Sequence, residues 1–197
     1  HRYDSSRTTH LYSTIFTYAL AHWDRYVESG APGSRDALVQ VADYALATAH
    51  TIEGQGLVLR GPGRDGAEHS GQTCALSQGE AMSVFVRAAS ATGQSEYVDA
   101  AVACLGAFHR CPDQNGVRMV VRLMDCPWYE EETSEPPRHI LNGMIYALWG
   151  LRDVAAVLGN AKASALYEVG VSSVVKSLPH FDTGWWSRYW VAEPPAQ

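Results

Sequence analysis

The sequence contains none of the short motifs that usually hold a nucleotide or a metal ion. It has no GxGxxG fingerprint and no P-loop, so no nucleotide-binding segment is predicted. Its 8 histidines form no HxH or HExxH pattern, and its 4 cysteines form no CxxC pair of the kind that binds zinc. We therefore expect a protein without metal or cofactor. The cysteines are expected to be buried free thiols, with a disulfide between two of them left open.

Long apolar runs and an excess of positive charge are missing as well. No apolar stretch approaches the roughly 20 residues that span a bilayer, and the first ten residues do not resemble a signal sequence. No membrane association and a cytoplasmic location are therefore predicted. Lys and Arg number 15 against 21 Asp and Glu, a net charge of −6, which disfavours nucleic acid as a partner. The 197 residues suit one domain over 1–197.

One pattern recurs three times along the chain: an apolar-periodic run, a short break at a glycine, and a second amphipathic run. The breaks lie at Gly30, Gly93 and Gly159, which are 63 and 66 residues apart. The paired runs are Leu11–Ser29 with Ala37–Ile52, Ser77–Ala91 with Glu96–His109, and His139–Leu158 with Ala161–Leu178. This repetition predicts three stacked helical hairpins, with each of the three glycines in a left-handed helix cap.

The segments between the hairpins are shorter and richer in turn formers. Three of them read as extended: Gln55–Arg60, Val117–Leu123 and Trp128–Glu132. The predicted fold is mostly α, an incomplete α/α toroid in which the first helix of each hairpin lines the centre. In such a fold the connections between hairpins gather at one end and build the site. Those connections are Arg60–Gln72, Val117–Glu132 and Asp182–Tyr189.

Two motifs carry a resemblance to a known family. The stretch CPWYEEETSEPPRHILNGMIYALWG runs from Cys126 to Gly150, and FDTGWWSRYW runs from Phe181 to Trp190. Together with ALSQGEAMSVFVRAASATG, residues 75–93, they resemble the C-terminal helical domain of D-glucuronyl C5-epimerases in order and spacing. The family's N-terminal β-sandwich and its downstream RWDY-type tyrosine have no counterpart in the sequence. These two differences from the family are consistent with either a piece of a larger protein or a small relative with a new substrate.

The resemblance implies a cofactor-independent isomerase that removes a proton next to a uronic acid carboxylate and returns one from the opposite face. Such chemistry needs an acid, a base and hydrogen-bond donors for the enolate-like intermediate. Tyr189 matches the tyrosine of the family's DTG motif and is the first candidate for acid or base. Glu132 stands where the family has its other motif tyrosine, because this chain reads EEET in place of EEYP, and Glu131 matches the preceding glutamate.

The three consecutive glutamates are all catalytic candidates, but not all can reach one substrate. In an extended segment Glu130 and Glu132 share one face, and Glu131 takes the other with Tyr129. The plain structural alternative is a solvated acidic turn, because charge runs usually face water.

Further residues beside these motifs are candidates for substrate binding. Asn142 matches the family asparagine of LNG, whose amide can bind a carboxylate or hydroxyl, although capping or packing would also explain it. Arg138 and His139 lie next to it at a helix N-terminus suited to anions. Gln78 or Glu80 is expected to face the site from the second hairpin. The remaining candidates are Trp128, Tyr129, Trp186 and Arg188.

Three functions fit these observations. The first is an epimerase-like isomerase that uses Tyr189 with Glu131 or Glu132 across the substrate. The second keeps the scaffold but isomerises or cyclises a smaller, less polar metabolite, which the net negative charge favours over a long polyanion. The third is a non-catalytic saccharide-binding module in which aromatic residues stack on sugar rings. The predicted partner is accordingly a small molecule or a saccharide, and homo-oligomerisation is left open.

Overall fold

A computed structural model describes residues 11–54, 56–61, 71–132 and 137–192, and the structural statements below concern those residues. Two sequence-based predictions concern segments that lie partly outside these ranges. Residues 62–70 of the predicted loop Arg60–Gln72 and residue 55 of the predicted strand Gln55–Arg60 lie outside the described residues.

The described residues form six α-helices, which make three consecutive hairpins. Their bounds are α1 (Tyr12–Ser29), α2 (Pro32–Thr48), α3 (Ala75–Thr92), α4 (Ser95–Ala103), α5 (Leu141–Leu158) and α6 (Ala161–Phe181). The first helix of each hairpin ends at a glycine with positive φ: Gly30 at 66°, Gly93 at 75° and Gly159 at 63°. Glycine adopts this left-handed conformation without the steric cost that a Cβ imposes. The three predicted breaks are therefore confirmed.

Helix α3 lies at the centre of the fold. It packs against α1 and α5 and buries most of its residues. Helices α3 and α5 approach closely because glycines face each other, and a Cβ at Gly150 would lie 2.1 Å from the carbonyl oxygen of Gly79. Helices α2, α4 and α6 pack on their hairpin partners from outside. The first helices thus form an inner layer and the second helices an outer layer, which confirms the predicted incomplete α/α toroid.

Three short antiparallel strand pairs join the helices of the described chain. They are β1 (His50–Ile52) with β2 (Gly56–Val58), β3 (Arg118–Val121) with β4 (Cys126–Tyr129), and β5 (Arg138–Ile140) with β6 (Trp190–Ala192). Two predicted helix bounds are wrong for this reason. The second helix ends at Thr48 because His50–Ile52 pairs with β2, and α5 begins at Leu141 rather than His139 because Arg138–Ile140 pairs with β6.

The hydrophobic core fills the space between the two helical layers. Phe16, Phe85 and Leu151 are fully buried and come from the three inner helices α1, α3 and α5. None of the helices in the described ranges combines the length and apolar character needed to cross a membrane. All four cysteines are free thiols; Cys104 and Cys126 are buried, and Cys74 and Cys111 are half-buried.

Candidate functional site

The segment that carries Tyr189 is fixed against the start of α5 by main-chain hydrogen bonds. Strands β5 and β6 pair His139 with Val191 and Ile140 with Trp190. Just beyond the pair, the Leu141 amide donates to the Tyr189 carbonyl oxygen at 3.2 Å. The Asn142 side chain hydrogen-bonds the Tyr189 hydroxyl and favours its ionised form. Two sequence-predicted residues separated by 47 positions in the chain are thus neighbours.

Glu131 lies against the same helix start. A Cβ at Gly143 would lie 2.4 Å from the Cβ of Glu131 and 2.5 Å from its Oε2, so the missing side chain at Gly143 is what makes room for this carboxyl group. Burial, and secondarily the charge of Glu132, raise the pKa of Glu131. The Glu131 charge in turn contributes to a raised pKa of Tyr189, for which burial is the larger cause. Glu131, Asn142 and Tyr189 therefore form one cluster.

Glu80 reaches the cluster from the inner helix α3. Its side chain is 3% exposed, and its Oε1 accepts a hydrogen bond of 3.1 Å from the Thr17 hydroxyl of α1. Burial raises the pKa of Glu80 to about 7; the Thr17 hydrogen bond lowers it and the charge of Glu131 raises it. The charge of Glu131 thus acts on Glu80 and links the inner helix α3 to the residues at the start of α5. The site thus draws on all three inner helices.

Two site residues were missed from the sequence. Thr17 lies on α1, outside the motifs that carry the family resemblance, and only the packing of α1 on α3 brings it to Glu80. Cys74 directly precedes α3, and both Tyr189 and Glu131 interact with it electrostatically. Burial raises the pKa of its thiol to about 11, so Cys74 is neutral at physiological pH.

Glu130 and His139 form a buried pair beside these residues in the chain. Both side chains are fully buried, and the Glu130 Oε1 lies 2.6 Å from the His139 Nδ1. The main chain of Glu130 is held by Val117 and Ala75, at 2.7 Å and 2.9 Å. The pair joins the glutamate segment to β5 inside the protein, and the catalytic role of Glu130 and the substrate-binding role of His139 stay predictions.

The predicted alternation of the three glutamates is also wrong. Strand β4 ends at Tyr129, so the extended pattern does not continue through Glu132. Glu130 turns into the interior, whereas Glu131 and Glu132 both act electrostatically on Tyr189. Glu132 is exposed to solvent.

Three predicted substrate-binding residues are core residues. Tyr129 is fully buried; its hydroxyl donates to the Leu166 carbonyl oxygen at 2.8 Å, and burial raises its pKa to about 12. Trp128 is fully buried and stacks on Phe181, with ring centroids 5.7 Å apart. Gln78 accepts from the Leu59 amide and donates to the carbonyl oxygens of Leu57 and Cys104, which ties α3 to β2. These interactions account for the burial of the three side chains, and their roles in substrate binding stay predictions.

The other predicted binding residues lie on the surface. The Arg138 guanidinium stacks over Trp190, 5.3 Å from the ring centroid, and the Arg188 side chain points toward the His180 carbonyl oxygen at 3.5 Å. Trp185 and Trp186 are 84% and 69% exposed. They line an apolar groove of about 780 Å³, open to solvent, whose other side is formed by the end of α6. We call this the tryptophan groove.

No group of three or more His, Cys, Asp or Glu side chains in the described ranges is arranged to hold a metal ion.

The sequence model of the D-glucuronyl C5-epimerase C-terminus matches residues 63–196. The chain belongs to this epimerase family. Glu80, Glu131, Asn142 and Tyr189 all lie within the matched range, whereas Thr17 lies before it.

Two curated relatives of this epimerase-family chain are similar over part of their length. A D-glucuronyl C5-epimerase of Caenorhabditis elegans is 33% identical over 122 residues, which are 56% of this chain and 20% of that protein. An uncharacterised protein of Methanocaldococcus jannaschii is 34% identical over 118 residues, 58% of this chain and 38% of that protein. The matched segments thus span well under half of each relative.

A solved structure shares the fold of this epimerase-family chain. A glycoside hydrolase family 76 mannosidase of Bacteroides thetaiotaomicron superposes with a TM-score of 0.56 at 12% sequence identity, over 93% of this chain and 46% of that one. At this identity the similarity establishes the α/α toroid architecture alone.

Proposed function

We propose that the protein is a cofactor-independent isomerase of the glucuronyl C5-epimerase type. Family membership supports an epimerase-related enzyme, and one observation at the cluster supports the chemistry. Glu80 Oε2, Glu131 Oε2 and Asn142 Oδ1 are buried and have no hydrogen-bond partner within the described residues. Buried polar atoms are nearly always hydrogen-bonded in folded proteins. A polar ligand at the cluster would supply the partners that these three atoms lack.

Tyr189 is the proposed acid. The Tyr189 side chain is 59% exposed, and partial desolvation together with the charge of Glu131 raises the pKa of its hydroxyl, so the group stays protonated at neutral pH. A tyrosine that served as the resting base would need nearby positive charge and a lowered pKa. Tyr189 is therefore suited to deliver its proton to C5, and the phenolate that remains is stabilised by the Asn142 amide.

Glu131 is the proposed base. Its raised pKa makes its carboxylate a stronger base than an exposed glutamate. In the proposed step, the Glu131 carboxylate accepts the C5 proton, and the electrons of the C–H bond move into the substrate carboxylate to give an enolate. Tyr189 then gives a proton to the opposite face, and a new C–H bond forms. Glu132, which is exposed, contributes negative charge that raises the pKa of both groups.

The proposed substrate is a uronic acid within a saccharide. The tryptophan groove adjoins the cluster, because Leu141 and Ser187 line it and lie one and two positions from Asn142 and Tyr189. An exposed tryptophan can stack its indole ring on the apolar face of a sugar. The flat indole then buries a large area with little loss of side-chain entropy. The groove is open to solvent rather than enclosed, which favours a saccharide over a small, apolar metabolite.

Interconversion of glucuronate and iduronate in a glucuronide oligosaccharide tests this proposal. Proton NMR should show the new epimer with wild-type protein and at least a hundredfold less with Tyr189→Phe or Glu131→Gln, since each lacks one proton-transfer group. Glu28→Gln is the matched control, because Glu28 is exposed on α1. Full activity in Tyr189→Phe would remove this residue from the mechanism. Tight saccharide binding without epimerisation by the wild type would identify a binding module instead.

A further inference from the structure

We propose that Glu80, in its neutral form, is a further catalytic residue that donates a hydrogen bond to the carboxylate of the substrate and to the enolate formed from it. This inference rests on the proposed function, since it assumes an anionic carboxyl ligand in the cluster. It assigns a role in substrate recognition to a residue of the inner helix α3 that the proton-transfer steps do not use.

The need for such a donor follows from the charges of the cluster. Glu131 and Glu132 are both acidic and act on Tyr189, and Asn142 is neutral. The cation on the same helix, Arg87, is bound to Asp153 at 2.5 Å. A uronate carboxylate that approached ionised glutamates would be repelled. A neutral carboxylic acid removes one of those charges and offers an O–H donor in its place.

The position of Glu80 suits this role. Its Oε1 accepts from the Thr17 hydroxyl, which is itself exposed, so the carboxyl group lies directly beneath the surface of the cluster. Its Oε2 has no hydrogen-bond partner within the described residues. A proton on Oε2 is thus not engaged by the protein and is available to a ligand. A second buried oxygen without a partner, Glu131 Oε2, belongs to the neighbouring carboxyl group.

The surroundings of Glu80 also favour its neutral form. Burial is the largest cause of its raised pKa, and the charge of Glu131 adds to it. A bound carboxylate would raise the pKa further, because a second negative charge disfavours ionisation. The helices packed on α3 bond it through the following charged or polar groups: Thr17 from α1, Arg35 from α2, which donates to the Ala91 carbonyl oxygen, and Asp153 from α5, which pairs with Arg87.

Binding of methyl β-D-glucuronoside between pH 5.5 and pH 8.5, followed by ligand-observed NMR, tests the proposal. Wild-type affinity should fall at least tenfold from pH 6 to pH 8.5, because Glu80 loses its proton over this range. Glu80→Gln keeps a donor that does not titrate, so most of that fall should disappear. Glu80→Ala should bind weakly at every pH. Methyl β-D-glucoside, which has no carboxylate, is the control ligand and should show no Glu80-dependent change with pH.

The outcomes separate this proposal from the proposed function. Three results would overturn the role of Glu80. The wild-type pH dependence could persist in Glu80→Gln, the affinity could be unchanged in Glu80→Ala, or the wild type could fail to bind the glucuronoside at any pH. Deuterium exchange at C5 is measured with the same proteins on a glucuronide oligosaccharide. If C5 exchanges and Glu80→Gln keeps the wild-type pH dependence of binding, the role of Glu80 is rejected and the proposed isomerase is kept. If binding shows the expected pH dependence but C5 does not exchange, the carboxylate-binding role of Glu80 is kept and the proposed isomerase is rejected.

Discussion

The stability of the protein should fall between pH 5 and pH 8 because of Glu80. The carboxyl group is 3% exposed and has a pKa of about 7 in the folded protein, against 4.5 for an unperturbed glutamate. Over this interval the folded state holds a proton that the unfolded chain has already released, so folding becomes less favourable as the pH rises. Below pH 4.5 both states are protonated and the effect vanishes.

The size of the effect follows from the two pKa values. Each tenfold change in proton affinity corresponds to about 1.4 kcal/mol, so a pKa raised from 4.5 to about 7 costs the folded state about 3 kcal/mol at high pH. Between pH 5 and pH 8 roughly 2.5 kcal/mol of this loss should appear. A Glu80→Gln variant does not titrate and should not show it. The variant should therefore gain roughly 2.5 kcal/mol relative to the wild type over this interval.

Urea denaturation of wild type and Glu80→Gln at pH 5 and pH 8 measures this difference, because the contributions of the other titrating groups cancel between the two proteins. Glu28→Gln is the control and should follow the wild type, since Glu28 is exposed. If Glu80→Gln and the wild type lose the same stability between the two pH values, the carboxyl group ionises normally in the folded protein, and the reasoning on burial is wrong.

Three further predictions concern packing and binding. His139→Ala should lower the free energy of unfolding by about 3–5 kcal/mol, measured in urea, because it leaves Glu130 buried without the imidazole. Gly150→Ala should cost about 1–3 kcal/mol or more, since the new Cβ meets the Gly79 backbone, whereas Gly33→Ala, with open space around it, should be nearly neutral. Replacing both Trp185 and Trp186 by alanine should weaken the binding of a glucuronide oligosaccharide about tenfold, as measured by calorimetry. Stability should not change, since both side chains are exposed. Unchanged affinity would exclude the tryptophan groove from saccharide binding.

The helical hairpins could be predicted because the sequence marks them locally. A 3.6-residue apolar period and a glycine able to adopt positive φ identify each inner helix and its end at Gly30, Gly93 and Gly159. The strand His50–Ile52 could not be predicted in this way. Its residues continue the helical pattern of α2, and only pairing with Gly56–Val58, a contact with another segment, makes them extended.

The candidate site was only partly predictable for a related reason. Tyr189, Asn142 and Glu131 were found through their motifs, which lie in order along the chain. The directions of Glu130 and Glu131 depend on where β4 ends, which is fixed by its partner strand rather than by its own residues. Likewise, the burial of Trp128 and Tyr129 reflects packing under α6, whereas an aromatic pair beside glutamates resembles a binding surface in sequence alone.

Solvent deuterium incorporation at C5 of a glucuronide oligosaccharide tests the central claim most directly. In the proposed mechanism one residue removes the C5 proton and another returns one. Because both acidic groups exchange with D₂O, deuterium should replace the C5 hydrogen in both epimers. Wild-type protein in D₂O should therefore abolish the C5 proton signal with time, and Glu131→Gln, which lacks the proposed base, should leave it intact. Retention of the C5 hydrogen by a wild-type protein that binds the same oligosaccharide would contradict the proton-transfer mechanism.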